Sequence, residues 1–262
     1  MMTFSTATPD KQHHFPDRLS GVLAAAFWLI VWQIAAMNLN QKILLVSPLM
    51  VVQKLWELLP TGEFWSAVCF SFLRITLGFL LAALCGTVLA ALAARFSVIK
   101  ALAAPLIRGI KSIPVASFII LVLLWVPSRN LSVVISFLMV LPIVYSNVLT
   151  GAESMDQKLA EMAEVFRVPL PRRLRYLYLP QILPFFRSAC ASGLGLCWKA
   201  GIAAEVIGLP DGSIGERLYE AKIYLETPEL FAWTVVIVLI SLLFERLFLY
   251  LLERGMSRLG KI

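Results

Sequence analysis

The sequence predicts an all-α polytopic membrane protein with six transmembrane helices and one large cytoplasmic loop. Of its 262 residues, 60% are hydrophobic and only 15% are charged, whereas an ordinary soluble domain has about 25% charged residues. Several apolar segments have the roughly 20 residues that a helix needs to cross a bilayer. A chain this apolar cannot stay solvated, so the composition excludes a disordered protein and argues against a soluble enzyme.

Six segments have the length and apolarity of a transmembrane helix. The first is longer than the core of a signal peptide, so we interpret it as a retained span. The third contains Lys111 and Pro114, and we expect the proline to break its helix beside a cavity. The predicted spans are Leu19–Met37, Ile75–Ala94, Ile107–Val126, Leu131–Leu149, Ser188–Ile207 and Leu230–Leu252.

The distribution of basic residues predicts that both termini are cytoplasmic. With that orientation, twelve of the 23 lysines and arginines fall in inner segments, and five fall in outer segments: Lys42, Lys54, Arg129, Arg217 and Lys222. An excess of positive charge on the inside is typical of membrane proteins, so the net charge of +7 indicates no nucleic-acid partner. The predicted division is an inner tail (1–18), a first helix with its outer loop (19–63), a core (64–255) and an inner tail (256–262).

Small residues recur every four positions in two of the predicted spans. The second span carries Gly78, Ala82, Gly86, Ala90 and Ala94, and the fifth carries Ala189, Gly193, Cys197 and Gly201. Such faces let helix backbones approach closely in a bilayer. Two interpretations remain open: ordinary packing within one subunit, or contact with a second copy of the protein.

The longest inner loop, residues 150–187, carries a spaced motif. It contains Glu161-Met162-Ala163, then Arg167 after three residues, and Leu177-Tyr178-Leu179-Pro180 after nine more. This resembles the loop of binding-protein-dependent ABC importer permeases, whose pattern is Glu-Ala-Ala, three residues, Gly, nine residues, Ile, one residue and Leu-Pro. The register matches over all 20 positions, with Met162 in place of an alanine and Arg167 in place of the turn glycine.

The resemblance implies that the loop is a coupling handle for a separate ATPase. Two short helices joined by a turn would present apolar side chains to a groove of that ATPase, and Glu161 would meet a basic residue there. A left-handed turn conformation is uncommon for a residue other than glycine, so Arg167 leaves the geometry of this turn open. The residues expected to serve in coupling are Glu161, Met162, Ala163, Val165, Phe166, Arg167, Leu177, Leu179 and Pro180.

Other stretches resemble the nitrate, sulfonate and taurine branch of the same family. They are Phe72–Phe79, Lys111–Pro114, Ala203–Gly208 and Gly212–Gly215. The implied partners are two ATP-binding subunits, an extracytoplasmic binding protein, a second permease subunit that is either a copy or a relative, and the lipid bilayer. The implied cargo is a small solute such as an anion or a vitamin-precursor-like molecule, carried across a bacterial cytoplasmic membrane.

Enzyme chemistry has little support in the sequence. There is no Gly-rich phosphate-binding motif of the Walker type, so ATP hydrolysis is expected on a partner. The cysteines lie in apolar runs without metal-ligand spacing, the two histidines lie in the first tail, and no cofactor or metal is expected. An intramembrane enzyme and a membrane scaffold or sensor remain the alternatives, although neither accounts for the loop motif.

Ionisable and polar residues inside spans are candidates for the translocation path, because they are costly there. Ser188, Ser192 and Lys199 share one helix face, and Lys199 would offer a positive charge to an anionic solute. Alternatively, Lys199 extends to the outer surface or pairs with the acidic loop that follows. The other path candidates are Ser112, Pro114 and Glu205.

Overall fold

The computed structural model describes residues 17–39 and 45–259, and its regular elements within those ranges are all helical. Residues 1–16 and 260–262 of the two predicted tails lie outside the described residues. The elements are α1 (Asp17–Leu39), α2 (Pro48–Leu58), α3 (Gly62–Arg95), α4 (Ser97–Ser112), α5 (Val115–Leu123), α6 (Ser128–Glu153), α7 (Gln157–Val165), α8 (Leu170–Arg173), a π-helical turn (Leu174–Tyr178), α9 (Leu179–Gly208), α10 (Ile214–Ile223) and α11 (Thr227–Leu259).

Polar side chains cap the starts of four helices. A residue before a helix can accept a hydrogen bond from one of the backbone amides that have no partner in the first turn. Thr61 accepts from the amide of Phe64 (3.3 Å), and Ser213 accepts from the amide of Glu216 (3.0 Å). Ser47 and Asp156 do the same for α2 and α7, so the helix boundaries follow from local sequence.

Helix α6 is the centre of the fold and packs between α3 and α9. The two small-residue stripes lie at these contacts. A Cβ atom at Gly78 would lie 2.4 Å from the carbonyl oxygen of Val133, and one at Gly201 would lie 2.7 Å from the Ile75 side chain. Apart from the exposed Ala94, every residue of both stripes is buried, so they serve packing within one subunit.

The predicted count of six transmembrane helices is not confirmed. Four helical stretches of the described chain are long and apolar enough to span a membrane: Gly62–Arg95, Ser128–Glu153, Leu170–Gly208 and Thr227–Gly255. The bent pair α4 and α5 would make a fifth. Helix α1 contributes only the shorter apolar stretch Ala26–Asn38 among its described residues.

The third predicted span is broken, as Pro114 indicated. Helix α4 ends at Ser112, and α5 starts at Val115 after a bend of 106°. Pro114 has no amide hydrogen to continue the helix, and it restricts the residue before it to extended backbone. Ile113 accordingly has φ −80° and ψ 130°.

The second half of the predicted inner loop is helical and continuous with the fifth span, which differs from the expected pair of separate short helices. Helix α8, the π-helical turn and α9 together form one apolar stretch from Leu170 to Gly208. Pro180 would interrupt an ordinary α-helix because it cannot donate to the carbonyl four residues earlier. In the π-helical turn, the amide of Leu179 donates to the carbonyl of Leu174, which lies five residues earlier. The helix therefore continues through Pro180.

Ion pairs join neighbouring helices at the end of the fold that carries α7 and α8. Arg187 of α9 pairs with Glu253 of α11. Lys100 of α4 pairs with Glu153 at the end of α6. One face of α11 is exposed and carries a leucine every four residues, as expected of a lipid-facing helix: Leu239, Leu243, Leu247 and Leu251.

Candidate functional site

The turn after α7 adopts the conformation that the loop motif requires. Arg167 has φ +50°, in the left-handed region usually reserved for glycine. The amide of Val168 donates to the carbonyl of Ala163 (2.9 Å), and the amide of Arg167 donates to the carbonyl of Glu164 (2.9 Å). These two bonds form a Schellman motif, which satisfies carbonyls at the end of a helix.

One further contact holds this turn, whose flanking residues Ala163 and Val168 are buried and half-buried. The guanidinium of Arg173 donates from Nε to the Val168 carbonyl oxygen (2.7 Å). Pro169 follows directly and starts α8. The turn is therefore fixed by its own backbone and by α8, despite the arginine at the glycine position.

Apolar side chains project from this turn on both sides. We define the coupling surface as Met162, Val165, Phe166, Leu170 and Leu174. Val165 is 79% exposed and Phe166 is 75% exposed, and the other three are each more than half exposed. The neighbouring carboxylates of Glu161 and Glu164 are also exposed. Large exposed apolar side chains close together in sequence and beside charged residues are typical of a protein-protein interface.

The remaining residues of the loop motif take different positions. Ala163 is buried beneath the turn and supports it. Leu177 is half-buried, and Leu179 and Pro180 are exposed at the start of α9. The structure thus brings Glu161 to Arg167 together on one turn, whereas the last three motif residues lie along the helix that continues from it.

The predicted path residues on α9 separate into two groups. Ser188, Ser192 and Lys199 are all exposed, as expected for residues on one face of the helix. Glu205 lies on another side and is fully buried inside the subunit. It accepts a hydrogen bond from the hydroxyl of Ser71 on α3 (2.6 Å), so it does not share the exposed face.

The broken helix contributes the other two predicted path residues. Ser112 and Pro114 are exposed on either side of the bend between α4 and α5. The Ser112 hydroxyl donates to the carbonyl of Gly109 (2.9 Å), which terminates α4 locally. The Lys111 ammonium group donates to the Ser146 hydroxyl of α6 (2.8 Å) and ties the bend to the central helix.

Sequence reasoning missed Ser71 and Ser132, which surround Glu205. Both serines are fully buried, and each lies in a predicted or adjoining apolar segment with no motif to mark it. The available signal was Glu205 itself, since a buried carboxyl group requires hydrogen-bond donors. Within residues 17–39 and 45–259, no group of three or more His, Cys, Asp or Glu side chains is arranged to hold a metal ion.

The fold combines apolar spans, a broken helix and an exposed apolar turn at one end. These features together fit a subunit of a membrane transporter. The chain belongs to the family of binding-protein-dependent transport system inner membrane components, which matches residues 78–258. It is thus the permease subunit of an ATP-driven ABC importer of the inner membrane, and ATP hydrolysis resides in a separate subunit. Its partners include an ATP-binding subunit and a substrate-binding protein.

Several named relatives span most of the chain. An aliphatic sulfonates transport permease protein of Bacillus subtilis is 26% identical over 243 residues, covering 92% of this chain and 87% of the relative. The taurine transport system permease protein of Escherichia coli is 25% identical, covering 84% of this chain and 82% of the relative. The bicarbonate transport system permease protein of Synechococcus elongatus is 24% identical, covering 92% and 88%.

A solved structure supports the fold. The crystal structure of an amino acid ABC transporter with histidines superposes with a TM-score of 0.52 at 20% sequence identity. The match covers 79% of this chain and 96% of the other. At this level of identity, the likeness concerns the helical architecture alone.

Proposed function

We infer that the coupling surface docks on the ATP-binding subunit of the importer. The single observation that carries this proposal is the exposure of Val165 and Phe166, at 79% and 75%, on a turn outside the apolar spans. Water-exposed apolar groups of this size gain about 1.5–3 kcal/mol each when a partner buries them. Glu161, one turn earlier on α7, supplies a negative charge at the edge of the same surface.

The importer contains two permease subunits and two ATP-binding subunits. The exposed face of Ser188, Ser192 and Lys199 supports this proposal, because contact between a lysine and lipid at membrane depth is costly. A second permease, identical or related, would cover this face and enclose a path between the two. Ser112 and Pro114, at the bend between α4 and α5, would border the same path.

The transported solute is a small anion. Relatives of this chain carry names for the transport of aliphatic sulfonates, taurine and bicarbonate, all of which bear an anionic group. Lys199 supports an anionic cargo, because its side chain is exposed within the fifth span and carries a positive charge. A sulfonate or nitrate fits this chemistry better than the vitamin-precursor-like alternative.

Both termini are cytoplasmic, and the binding protein approaches the opposite face. The excess of lysines and arginines in the loop around Arg172 and near both ends of the chain supports this orientation. ATP binding would draw the two ATP-binding subunits together and move the coupling surfaces of both permeases. The path would thereby switch from inward-facing to outward-facing, and hydrolysis would reset it.

Co-purification tests the docking proposal. The full chain carries an affinity tag and is co-expressed with an ATP-binding subunit of the same transport system. Glu161→Lys should reduce the recovered ATPase more than Glu161→Ala, because like charges brought together can cost several kcal/mol. Lys158→Ala, one turn earlier on α7, is the matched control and should leave recovery unchanged. Equal recovery with Glu161→Lys and with the unmodified chain would contradict the proposal.

A further inference from the structure

A cluster of buried polar groups joins three helices at the end of α9 away from the coupling surface. We define the polar clasp as Glu205, Ser71 and the backbone amides of Ile214 and Gly215. The Ser71 hydroxyl donates to Oε2 of Glu205 (2.6 Å). It also accepts a hydrogen bond from the amide of Ile214 (3.0 Å), and the amide of Gly215 donates to the same carboxylate oxygen (3.3 Å).

The clasp residues come from distant parts of the chain. Ser71 belongs to α3 and Glu205 to α9, and they are separated by 134 residues in sequence. The two amides belong to the first turn of α10, where backbone donors have no partner within the helix. Glu205 and Ser71 are both fully buried, so water cannot replace these hydrogen bonds.

Close packing reinforces the clasp. A Cβ atom at Gly215 would lie 2.3 Å from the Cβ atom of Glu205 and 2.6 Å from the backbone nitrogen of Val206. The start of α10 therefore lies directly on the last turn of α9. The second carboxylate oxygen of Glu205 and the Ser132 hydroxyl of α6 are also buried, which extends the polar cluster towards the central helix.

We propose that Glu205 is a positioning residue of the transporter, which fastens α10 to α3 and α9 so that the three helices move as one unit at this face of the membrane. The segment from Leu170 to Gly208 is one 39-residue helical stretch, about 58 Å long at 1.5 Å per residue. The coupling surface lies at one end of this stretch and the polar clasp at the other. In the proposed importer, on which this consequence rests, a displacement of α10 would be transmitted through α9 to the end that contacts the ATP-binding subunit.

Amide hydrogen exchange of the full chain in lipid nanodiscs tests the clasp. Glu205→Ala should accelerate exchange at Gly215 about tenfold, and Ser71→Ala should do so at Ile214, because each amide loses its own buried acceptor. The double variant should accelerate exchange at both amides, since it removes both acceptors. Glu205→Gln keeps a carbonyl oxygen as acceptor and should stay within about twofold of the unmodified chain.

Ser136→Ala is the matched control. Ser136 is also a fully buried serine, but its hydroxyl donates to the Cys197 carbonyl within the core, so α10 should be unaffected. The proposal is overturned if Ser71→Ala leaves exchange at Ile214 unchanged, or if exchange accelerates equally in all helices. It is also overturned if Glu205→Gln exchanges as fast as Glu205→Ala. Recovery of an ATP-binding subunit with the unmodified chain tests the proposed function separately.

Discussion

The contact between α3 and α6 at Gly78 should not tolerate a side chain. In Gly78→Ala the new Cβ atom would lie 2.4 Å from the Val133 carbonyl oxygen and 2.8 Å from the Cβ atom of Ser136. Both neighbouring atoms are fixed by the helix backbone, so no rotamer change can relieve the clash. The helices must separate by at least 0.6 Å, the difference between 3.0 and 2.4 Å, to restore a tolerable contact.

The size of the destabilisation in Gly78→Ala follows from comparison with a second glycine-to-alanine substitution. Gly109 lies in the helical interior of α4, and a Cβ atom there would meet nothing within 4 Å. Gly109→Ala should therefore gain only the helix preference for alanine over glycine, about 1 kcal/mol. Gly78→Ala gains the same preference but adds an overpacking cost of about 1–3 kcal/mol. The difference between the two variants isolates the cost of the close contact.

Thermal unfolding of the two purified variants in detergent measures this difference. At about 2–4 °C per kcal/mol for a chain of this size, Gly78→Ala should melt several degrees below Gly109→Ala. Tryptophan fluorescence and size-exclusion chromatography would follow unfolding and aggregation. Equal melting temperatures, or a higher one for Gly78→Ala, would refute the close packing of α3 on α6.

Three further predictions concern the turn, the orientation and the path. Arg167→Gly should slow amide exchange at Val168 severalfold, because glycine removes a left-handed backbone penalty of about 1–2 kcal/mol; unchanged exchange would count against the strained turn. In a cysteine-free background, a cysteine at Asp211 should react with an impermeant reagent in intact cells, and one at Ser154 should not; the reverse pattern would invert the topology. Lys199→Met should lower anion uptake while the complex still assembles; undiminished uptake would favour Lys199 as a surface residue.

The parts of the fold that follow from local sequence were predicted well. Long apolar runs identified the centres of α3, α6, α9 and α11, and Pro114 identified the break in the third span. The motif register placed Arg167 at the position of the turn glycine, but it left the conformation of that turn open, and the structure shows it to be left-handed. In each case the determining interaction lies within a few residues, where spacing and backbone chemistry are visible in the sequence.

The parts that depend on distant partners were not predictable. Helix α3 starts at Gly62, well before the predicted Ile75, and the polar residues in its first half find partners elsewhere in the fold. Ser71 bonds Glu205, and Arg74 donates to the side-chain oxygen of Asn130 (3.0 Å). Apolar periodicity cannot reveal such pairs, so Glu205 was grouped with the exposed path residues although it is buried.

The affinity of the ATP-binding subunit for the permease tests the central claim most directly. Full burial of a phenylalanine side chain gains about 1.5–3 kcal/mol. Phe166 is 75% exposed in the subunit, so about 1–2 kcal/mol is available on docking.

The measurement compares Phe166→Ala with Phe27→Ala in permease held in nanodiscs. Phe27 lies on α1 and is 59% exposed, so it offers a similar side chain away from the coupling surface. Docking through the coupling surface predicts that Phe166→Ala weakens binding of the ATP-binding subunit about 5- to 30-fold, while Phe27→Ala leaves it unchanged. Unchanged affinity in Phe166→Ala, or equal losses in the two variants, would contradict docking at this surface.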